Sequence, residues 1–428
     1  MTTTTKTKRG RKPKASSETQ PQDNQTQDQQ VSKTVDDCSP GLSVEVEQSL
    51  LATALVHVKQ VVPTKPLQPI QAMILIEAHK DNAIQLTGTN LNTTIRATVS
   101  ATVNQLGALA IPATLKDVVS RSATGTLQLQ STSSEAIALF DSDRGRTTLT
   151  GMDSDDFPRI QPTKLTPFTL KAEILLAALK ACLIAACLKE EKGVLHGVHL
   201  VLSKDTLHVT ATDGHRLAQA TTEIKEVGTE IECTLHLEFV KELCRLLSET
   251  TDSHIQFSYD VETRLVGIQV PLGKDLTVEL MGRCYEAPFP DVEALKQRYS
   301  FDKSATLNRL LLATRLERLE AVSSNKSPLV YLRFTQKTVT LSKLEDSVQA
   351  QQVMDTVVEG VEDGFAIGFN LYYLLSFTKA IDSNELQLSL SDTVSLVNLT
   401  TAGSPKLPMK VDYSLMPMQI LKEHSGVG

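Results

Sequence analysis

The chain has 428 residues, a length that suits two to four domains. Its 41% hydrophobic and 22% charged content is that of ordinary globular protein; Trp is absent and aromatics are 4%, so the cores must be aliphatic. No apolar run approaches about 18 residues and no apolar leader opens the chain, which argues against a membrane span or secretion. The net charge of −7 argues against tight sequence-specific DNA binding, though not against a body with one locally basic face.

Residues 1–42 are rich in Thr, Gln, Ser, Asp and Lys and carry little to bury, so they are expected to be a disordered tail. The tail opens with KTKRGRKPK (Lys6 to Lys14), six positive charges without an acid. RGRKP resembles an AT-hook core. In that reading Gly10 permits close approach and Arg9 and Arg11 enter a narrow A/T minor groove; the alternative is a generic basic tail touching phosphates.

Beyond the tail the sequence repeats itself. Val44 to Val61, Phe168 to Ala185 and Phe301 to Leu319 each pass from a short alternating run through a polar break into an amphipathic helix. A second unit recurs at Ile111 to Asp141, Leu235 to Val270 and Ile367 to Thr400, each a helix followed by strand-like runs. Both units are offset by about 124 residues between the first copies and about 132 between the later ones, which implies a triplication. The modules span 43–165, 166–297 and 298–422, with a polar tail at 423–428. Each should hold two helices against several strands, an α+β layer architecture. Gln71 to Glu77 and Ala83 to Thr87 read as strands, and Ile95 to Val103 as one alternating strand. GMDSDDFPRI (Gly151 to Ile160) and LMGRCYEAPFPD (Leu280 to Asp291) close the first two modules. The third ends in YSLMPMQI (Tyr413 to Ile420), either as an edge strand or as a wall of a binding surface.

Chemistry-bearing motifs are few. The six cysteines, Cys38, Cys182, Cys187, Cys233, Cys244 and Cys284, lack metal spacing and read as free thiols of a reducing cytosol. Asp153, Asp155 and Asp156 lack the Gly and distal Glu of an EF-hand. No nucleotide-binding glycine motif is present. ATDGHRLA (Ala211 to Ala218) follows an alternating strand, and Asp213-Gly214 is a tight-turn pair. Asp213 and His215 have no accompanying nucleophile, so a hairpin lining a peptide groove is favoured over an active site. Basic residues recur off the apolar stripes of the helices: Lys59, Lys116, Arg121, Lys180, Lys189, Lys241, Arg245, Arg309, Arg315, Arg318 and Lys379. Placed on one concave side they would line a polyanion-holding surface; scattered, they are solvated faces.

The triplication, ATDGHRLA and the M-P-M-Q-I terminus together resemble the bacterial DNA polymerase III β subunit, the sliding clamp family, over about residues 43–421. DFPR (Asp156 to Arg159), LTGTNL (Leu86 to Leu91) and GFNLYYLL (Gly368 to Leu375) look familial too. The resemblance implies a head-to-tail homodimer closed into a ring of six like domains, with helices lining a hole for duplex DNA and no catalytic activity or cofactor. It also implies loading by an ATP-driven clamp loader. The DNA polymerase III catalytic subunit and repair proteins would bind through Q-x-x-L-x-[FL] peptides, in the cytoplasm at the nucleoid. Carried over by position, the peptide pocket would contain Leu195 on the strand before the motif, then Thr212, Gly214, His215, Arg216 and Leu217. Pro290 and Leu295 would come from the connection, and Ser414, Leu415, Met416, Pro417, Met418, Gln419 and Ile420 from the terminus. Leu195, Leu217, Leu295, Leu415 and the methionines would be the apolar anchor, with His215 and Arg216 at its polar rim. Lys59, Lys116, Arg121, Lys180, Lys241, Arg245, Arg309, Arg315 and Lys379 would face DNA. Leu319 and Val322 would serve the ring interface. The chain departs from the pattern at Glu293 and Ala294, at Ser414 and Gln419, in the extension LKEHSGVG after Ile420, and in its long N-terminal tail. A rival of another class is an AT-hook-tethered DNA-binding regulator on a clamp-derived scaffold.

Overall fold

A computed structural model describes residues 41–133, 136–160, 167–224, 230–323, 327–345, 348–403 and 406–419. Module one runs β1 (Ser43–Glu47), α1 (Gln48–Lys59), β2 (Met73–His79), β3 (Ala83–Thr89), β4 (Thr93–Ser100), β5 (Thr102–Gln105), β6 (Ala108–Pro112), α2 (Leu115–Val119), β7 (Thr126–Ser133), β8 (Ala136–Phe140) and β9 (Arg146–Thr150). Module two runs β10 (Phe168–Lys171), α3 (Ala172–Leu183), β11 (Gly197–Leu202), β12 (Thr206–Thr212), β13 (Arg216–Glu223), β14 (Ile231–His236), α4 (Leu237–Glu249), β15 (His254–Asp260), β16 (Leu265–Pro271) and β17 (Leu276–Arg283). A short helix, α5 (Val292–Lys296), occupies the connection. Module three runs β18 (Lys303–Asn308), α6 (Arg309–Ala321), β19 (Leu329–Phe334), β20 (Thr338–Glu345), β21 (Val348–Asp355), β22 (Val357–Glu359), β23 (Ala366–Asn370), α7 (Leu371–Ala380), β24 (Glu385–Leu390), β25 (Val397–Ala402) and β26 (Met409–Leu415). The fold is therefore α+β, three clamp-type modules of mostly antiparallel sheet, each with two helices packed against its strands.

Three of the six strand-to-helix breaks of the repeat are side-chain helix caps, while Thr114, Lys171 and His236 begin their helices without one. The Glu47 carboxylate accepts the Leu50 N–H at 3.0 Å, Asn308 Oδ1 accepts that of Leu311 at 2.9 Å, and Asn370 Oδ1 that of Tyr372 at 3.0 Å. Each satisfies an amide that the first helical turn leaves unpaired. The helix of IPATLKDVVSR shrinks to five residues. Ser120 and Ser122 bond back to the carbonyls of Asp117 and Val118, an alternative that competes with further helix.

Strand pairing ignores the module boundaries. The four sheets run β5-β1-β7-β8-β9, β10-β15-β16-β17-β4-β3-β2-β6, β14-β11-β12-β13-β26-β25-β24-β18-β22 and β21-β20-β19-β23. Modules one and two join where β17 pairs antiparallel with β4, Leu280 opposite Ile95. Modules two and three join where β26 pairs with β13, Tyr413 opposite Ala218. β9 ends the first sheet and β21 the last; neither has a strand on its outer side among the described residues. The single strand expected at Ile95 to Val103 breaks at Ala101. There the amides of Ser100 and Ala101 bond to the carbonyls of Asp275 and Asn82, and the chain leaves one sheet for another. The terminal run is no edge strand either, for β26 lies between β13 and β25.

The core is aliphatic and continuous through all three modules. A small satellite cluster seats Phe157 of the DFPR segment against Ile70, Leu75 and Ala110. Five cysteines, Cys182, Cys187, Cys233, Cys244 and Cys284, are buried free thiols; Cys38 lies outside the described residues. Among the described residues no group of His, Cys, Asp and Glu could hold a metal ion, and no helix is long and apolar enough to cross a membrane.

Candidate functional site

The β12–β13 hairpin builds the sharpest local geometry. Asp213 Oδ1 accepts the amides of His215 at 2.9 Å and Arg216 at 3.0 Å, and Gly214 sits at φ +90°, where a side chain is strained. Thr212 Oγ1 donates to the Arg216 carbonyl at 2.7 Å and accepts the Gly214 amide at 3.1 Å. This turn tips the exposed His215 outward. Its carbonyl accepts the Met416 amide at 3.0 Å, which draws the C-terminal segment across the hairpin. The Met418 amide then bonds to the Gly368 carbonyl at 2.8 Å, tying the segment to β23.

Arg216 is not the rim residue expected. Its side chain is largely buried and reaches between modules: Nε donates to Asp213 Oδ2 at 2.9 Å, Nη1 to Ser376 Oγ at 3.3 Å, and the guanidinium lies 4.0 Å from the Tyr373 ring centroid. Tyr413 stacks on Phe377 at 4.5 Å, and its hydroxyl is pushed up to about 12 by burial, against the opposing pull of Arg216. Tyr373, Ser376 and Tyr413 are therefore part of this joint, though only the GFNLYYLL and YSLMPMQI strings marked Tyr373 and Tyr413 in the sequence and nothing marked Ser376.

The β13–β26–β25 register puts Leu217, Ser414 and Asn398 in one row on the face opposite Tyr413. Ser414 Oγ donates to Asn398 Oδ1 at 2.9 Å. Across that face α5 is held by Gln219, whose Nε2 donates to Glu293 at 2.7 Å and whose Oε1 accepts Lys296 Nζ at 2.8 Å. Leu295, Pro290, Met416 and Gln419 are exposed, while Leu415 is 0% exposed. Leu415 thus belongs to the core beneath the site rather than to an open anchor surface. Leu195 does not lie on the strand before the motif; it ends the 3-10 segment Glu190–Leu195, where its carbonyl accepts the Cys187 amide at 2.8 Å. Gly193, at φ 57°, interrupts that segment. Ile420 lies outside the described residues, as do Arg9, Gly10 and Arg11.

The helix cations sort into two groups. Lys59 and Lys116 both pair with Asp117, at 3.1 and 3.4 Å. Lys241 pairs with Glu238 at 2.7 Å, Arg245 with Glu242 and Glu249 at 2.5 and 2.9 Å, and Lys379 with Glu317 at 3.0 Å. Arg245 also donates to Nδ1 of His57 at 2.8 Å, so it stitches α4 to α1 across the first joint. The half-buried Arg309 is committed to the carbonyls of Thr378 and Ser383, and Arg315 to Gln352 on β21. Arg121, Lys180 and Arg318 are exposed and make no ion pair with a carboxylate among the described residues. Leu319, expected at the ring interface, is 0% exposed and packs into the core of its own module; Val322 is exposed.

Three tandem modules, each with two helices against antiparallel strands, and sheets bridging the joints define the DNA-clamp class of protein. Family models for the DNA polymerase III beta subunit match throughout: its N-terminal domain at residues 42–161, its central domain at 169–291 and its C-terminal domain at 299–419. The chain belongs to this family, the bacterial sliding clamps, which are non-catalytic processivity factors of DNA polymerase III acting in DNA replication. It is 30% identical to the beta sliding clamp of Synechocystis sp., over 87% of this chain and 98% of that protein. The Haemophilus influenzae beta sliding clamp is 23% identical over 89% of this chain and 100% of its own. Among solved structures, a C. crescentus beta sliding clamp superposes with a TM-score of 0.79 at 23% identity, and a Pseudomonas aeruginosa sliding clamp bound to griselimycin with 0.78 at 21%; each comparison covers 89% of this chain and all of the other.

Proposed function

We propose that two copies join head to tail into a closed ring that encircles duplex DNA and slides on it, after opening by an ATP-driven clamp loader. The observation that carries this is the pair of inter-module strand joints. Twice within the chain, the last strand of one module pairs antiparallel with an inner strand of the module before it: β17 with β4, and β26 with β13. The strands occupying those two positions with one side unpaired among the described residues are β9 in module one and β21 in module three. Pairing β21 of one copy with β9 of the next repeats the same joint, and twofold symmetry closes the assembly after two copies. The antiparallel sense brings the Arg146 end of β9 toward the Asp355 end of β21, a complementary pairing of charge. This places the interface on strand edges rather than on Leu319.

In this reading the joint between modules two and three receives peptides of the Q-x-x-L-x-F type from the DNA polymerase III catalytic subunit and from repair proteins. The exposed Leu295, Met416 and His215 would serve that peptide together with Thr212, Gly214, Leu217, Pro290, Ser414, Pro417, Met418 and Gln419, the apolar side chains as its anchor and the polar ones as its margin. The working place is the nucleoid in the cytoplasm. Titration of a labelled Q-x-x-L-x-F peptide with the full chain tests the site. Saturable binding that weakens at least tenfold in Leu295→Asp and Met416→Asp supports it; absence of binding, or binding indifferent to both changes, overturns it.

A further inference from the structure

The two inter-module joints are built alike, down to single hydrogen bonds. At the joint between modules two and three, residues 213–216 turn between Thr212 and Leu217; at the joint between modules one and two, residues 90–93 turn between Thr89 and Thr94. Asn90 Oδ1 accepts the amides of Asn92 at 3.0 Å and Thr93 at 2.7 Å, as Asp213 does those of His215 and Arg216. Thr89 Oγ1 accepts the Leu91 amide at 3.0 Å and donates to the Thr93 carbonyl at 3.2 Å, as Thr212 does with Gly214 and Arg216. The Asn92 carbonyl accepts the Arg283 amide at 3.3 Å, in the place of the His215–Met416 bond.

The side chains on this shared frame differ. Leu91 stands where the other hairpin has Gly214, at a φ of +75° that a leucine side chain opposes. It is 48% exposed, so burial offsets little of that strain. Strain of this kind gathers at functional sites, and here the hydrogen bonds of the turn impose it. Arg283 stands where the other joint has Met416. It is exposed and makes no side-chain hydrogen bond or ion pair among the described residues. Its neighbour Gly282 faces Phe239 of α4, so by strand alternation Arg283 points to the opposite face of the sheet. Glu279, on that same face, is already paired with Arg96 at 3.0 Å and leaves Arg283 uncompensated. Arg264 adds a second positive charge nearby, its Nη1 donating to the Tyr285 and Glu286 carbonyls. The hairpin tip thus presents an apolar side chain close to a free cation.

We propose that the joint between modules one and two is a second docking site, for a linear peptide that carries an aliphatic residue next to a carboxylate. The aliphatic residue packs on Leu91, and the carboxylate pairs with Arg283. A phosphate would suit Arg283 equally, but a strained, exposed leucine serves an apolar contact that a nucleic-acid backbone does not supply. The inference rests, by equivalence, on the peptide reading of the joint between modules two and three. Two such joints in one chain would let a single partner dock by two segments and gain from their effective concentration.

The test is an anisotropy titration of the full chain with a fluorescein-labelled peptide of alternating leucine and aspartate, which lacks the Q-x-x-L-x-F pattern. Saturable binding is expected in the wild type and equally in the double variant Leu295→Asp, Met416→Asp. Affinity should fall by about tenfold or more in Leu91→Gly and in Arg283→Glu. Leu91→Gly removes the strained φ, so it should unfold in urea no earlier than the wild type while losing the peptide. The basic N-terminal tail is common to every variant, so differences between them report the joint. No binding by the wild type, binding indifferent to both changes, or binding lost in the double variant instead overturns the inference. A labelled duplex titrated in parallel covers the other source: duplex binding that falls in Arg283→Glu while peptide binding stays unchanged assigns the cation to phosphate and overturns it too. Where the alternating peptide fails, retained binding of a Q-x-x-L-x-F peptide confines the failure to this site, whereas its loss refutes the peptide reading of both joints.

Discussion

The guanidinium of Arg216 stands 4.0 Å from the Tyr373 ring, with Arg216 in module two and Tyr373 in module three. Asp213 holds the same guanidinium from below at 2.9 Å. The turn that carries His215 is therefore fastened to α7 by a single side chain. A largely desolvated cation over a tyrosine face is worth about 1–2 kcal/mol, and a lysine lacks both the planar fork and the stacking surface. Arg216→Lys should destabilise the chain by about that amount and weaken peptide binding several-fold; urea unfolding and the peptide titration read the two effects. Tyr373→Leu should do the same. Retention of full affinity in both would show that the turn is held by its own hydrogen bonds.

Gly214 supplies a second, purely local prediction. A Cβ added there meets nothing within 4 Å, so Gly214→Ala carries only the cost of the positive φ, about 1–2 kcal/mol. The unfolding midpoint should fall accordingly, with the far-UV spectrum unchanged. An unchanged midpoint would mean the turn relaxes to another conformation.

His57 gives the chain a pH dependence. It is 1% exposed on α1, accepts from Arg245 at Nδ1, and faces Glu249 at 3.4 Å, with Glu242 on the far side of Arg245 and Lys59 two residues on. Burial, and then the Arg245 charge, lower its pKa to about 4, with Glu249 opposing. Between that value and its ordinary 6.5 the unfolded chain binds a proton that the folded chain refuses. Stability from this group is complete above about pH 6.5 and is lost as pH falls toward 4, by up to about 3 kcal/mol. Urea midpoints at pH 7.5 and 5 should differ in the wild type, and the difference should shrink in His57→Gln. An equal difference in both would assign the effect to other groups.

Much of the fold is legible in the sequence because the repeat is written in local signals. Alternation, a capping residue and an amphipathic run recur at Glu47, Asn308 and Asn370, and the helices begin there. The DG turn likewise follows from two residues. What escapes is set by partners distant in sequence. The break at Ala101 depends on the Asp275 and Asn82 carbonyls, and no local pattern announces it. Leu319 has the helical spacing of a face residue, yet which face is buried is decided by the sheet beneath it. Arg245 and Arg216 look like free cations until Glu242, His57, Asp213 and Tyr373 are placed around them. Leu195 reads as strand because VLHGVHLVL (Val194 to Leu202) is rich in aliphatic residues, while Gly193 and the Cys187 amide turn it into a 3-10 segment.

The C-terminal segment separates fold from binding. β26 ends at Leu415, and beyond it the chain is joined to the body by the Met416–His215 and Met418–Gly368 backbone bonds. Each is worth about 1 kcal/mol. Deleting Met416 to Gly428 should leave unfolding cooperative, with a modest fall in midpoint, and remove measurable binding of a Q-x-x-L-x-F peptide. Unchanged affinity would place the peptide elsewhere.

The ring itself is tested most directly by the solution mass of the full chain, taken by light scattering at micromolar concentration. A closed head-to-tail pair predicts twice the chain mass of 46.8 kDa for the wild type. It also predicts a single-chain mass for Val353→Lys, which places a charge on the exposed edge strand β21 at a residue 52% exposed. A wild-type mass of one chain, or a dimer that Val353→Lys leaves intact, would contradict pairing through β9 and β21.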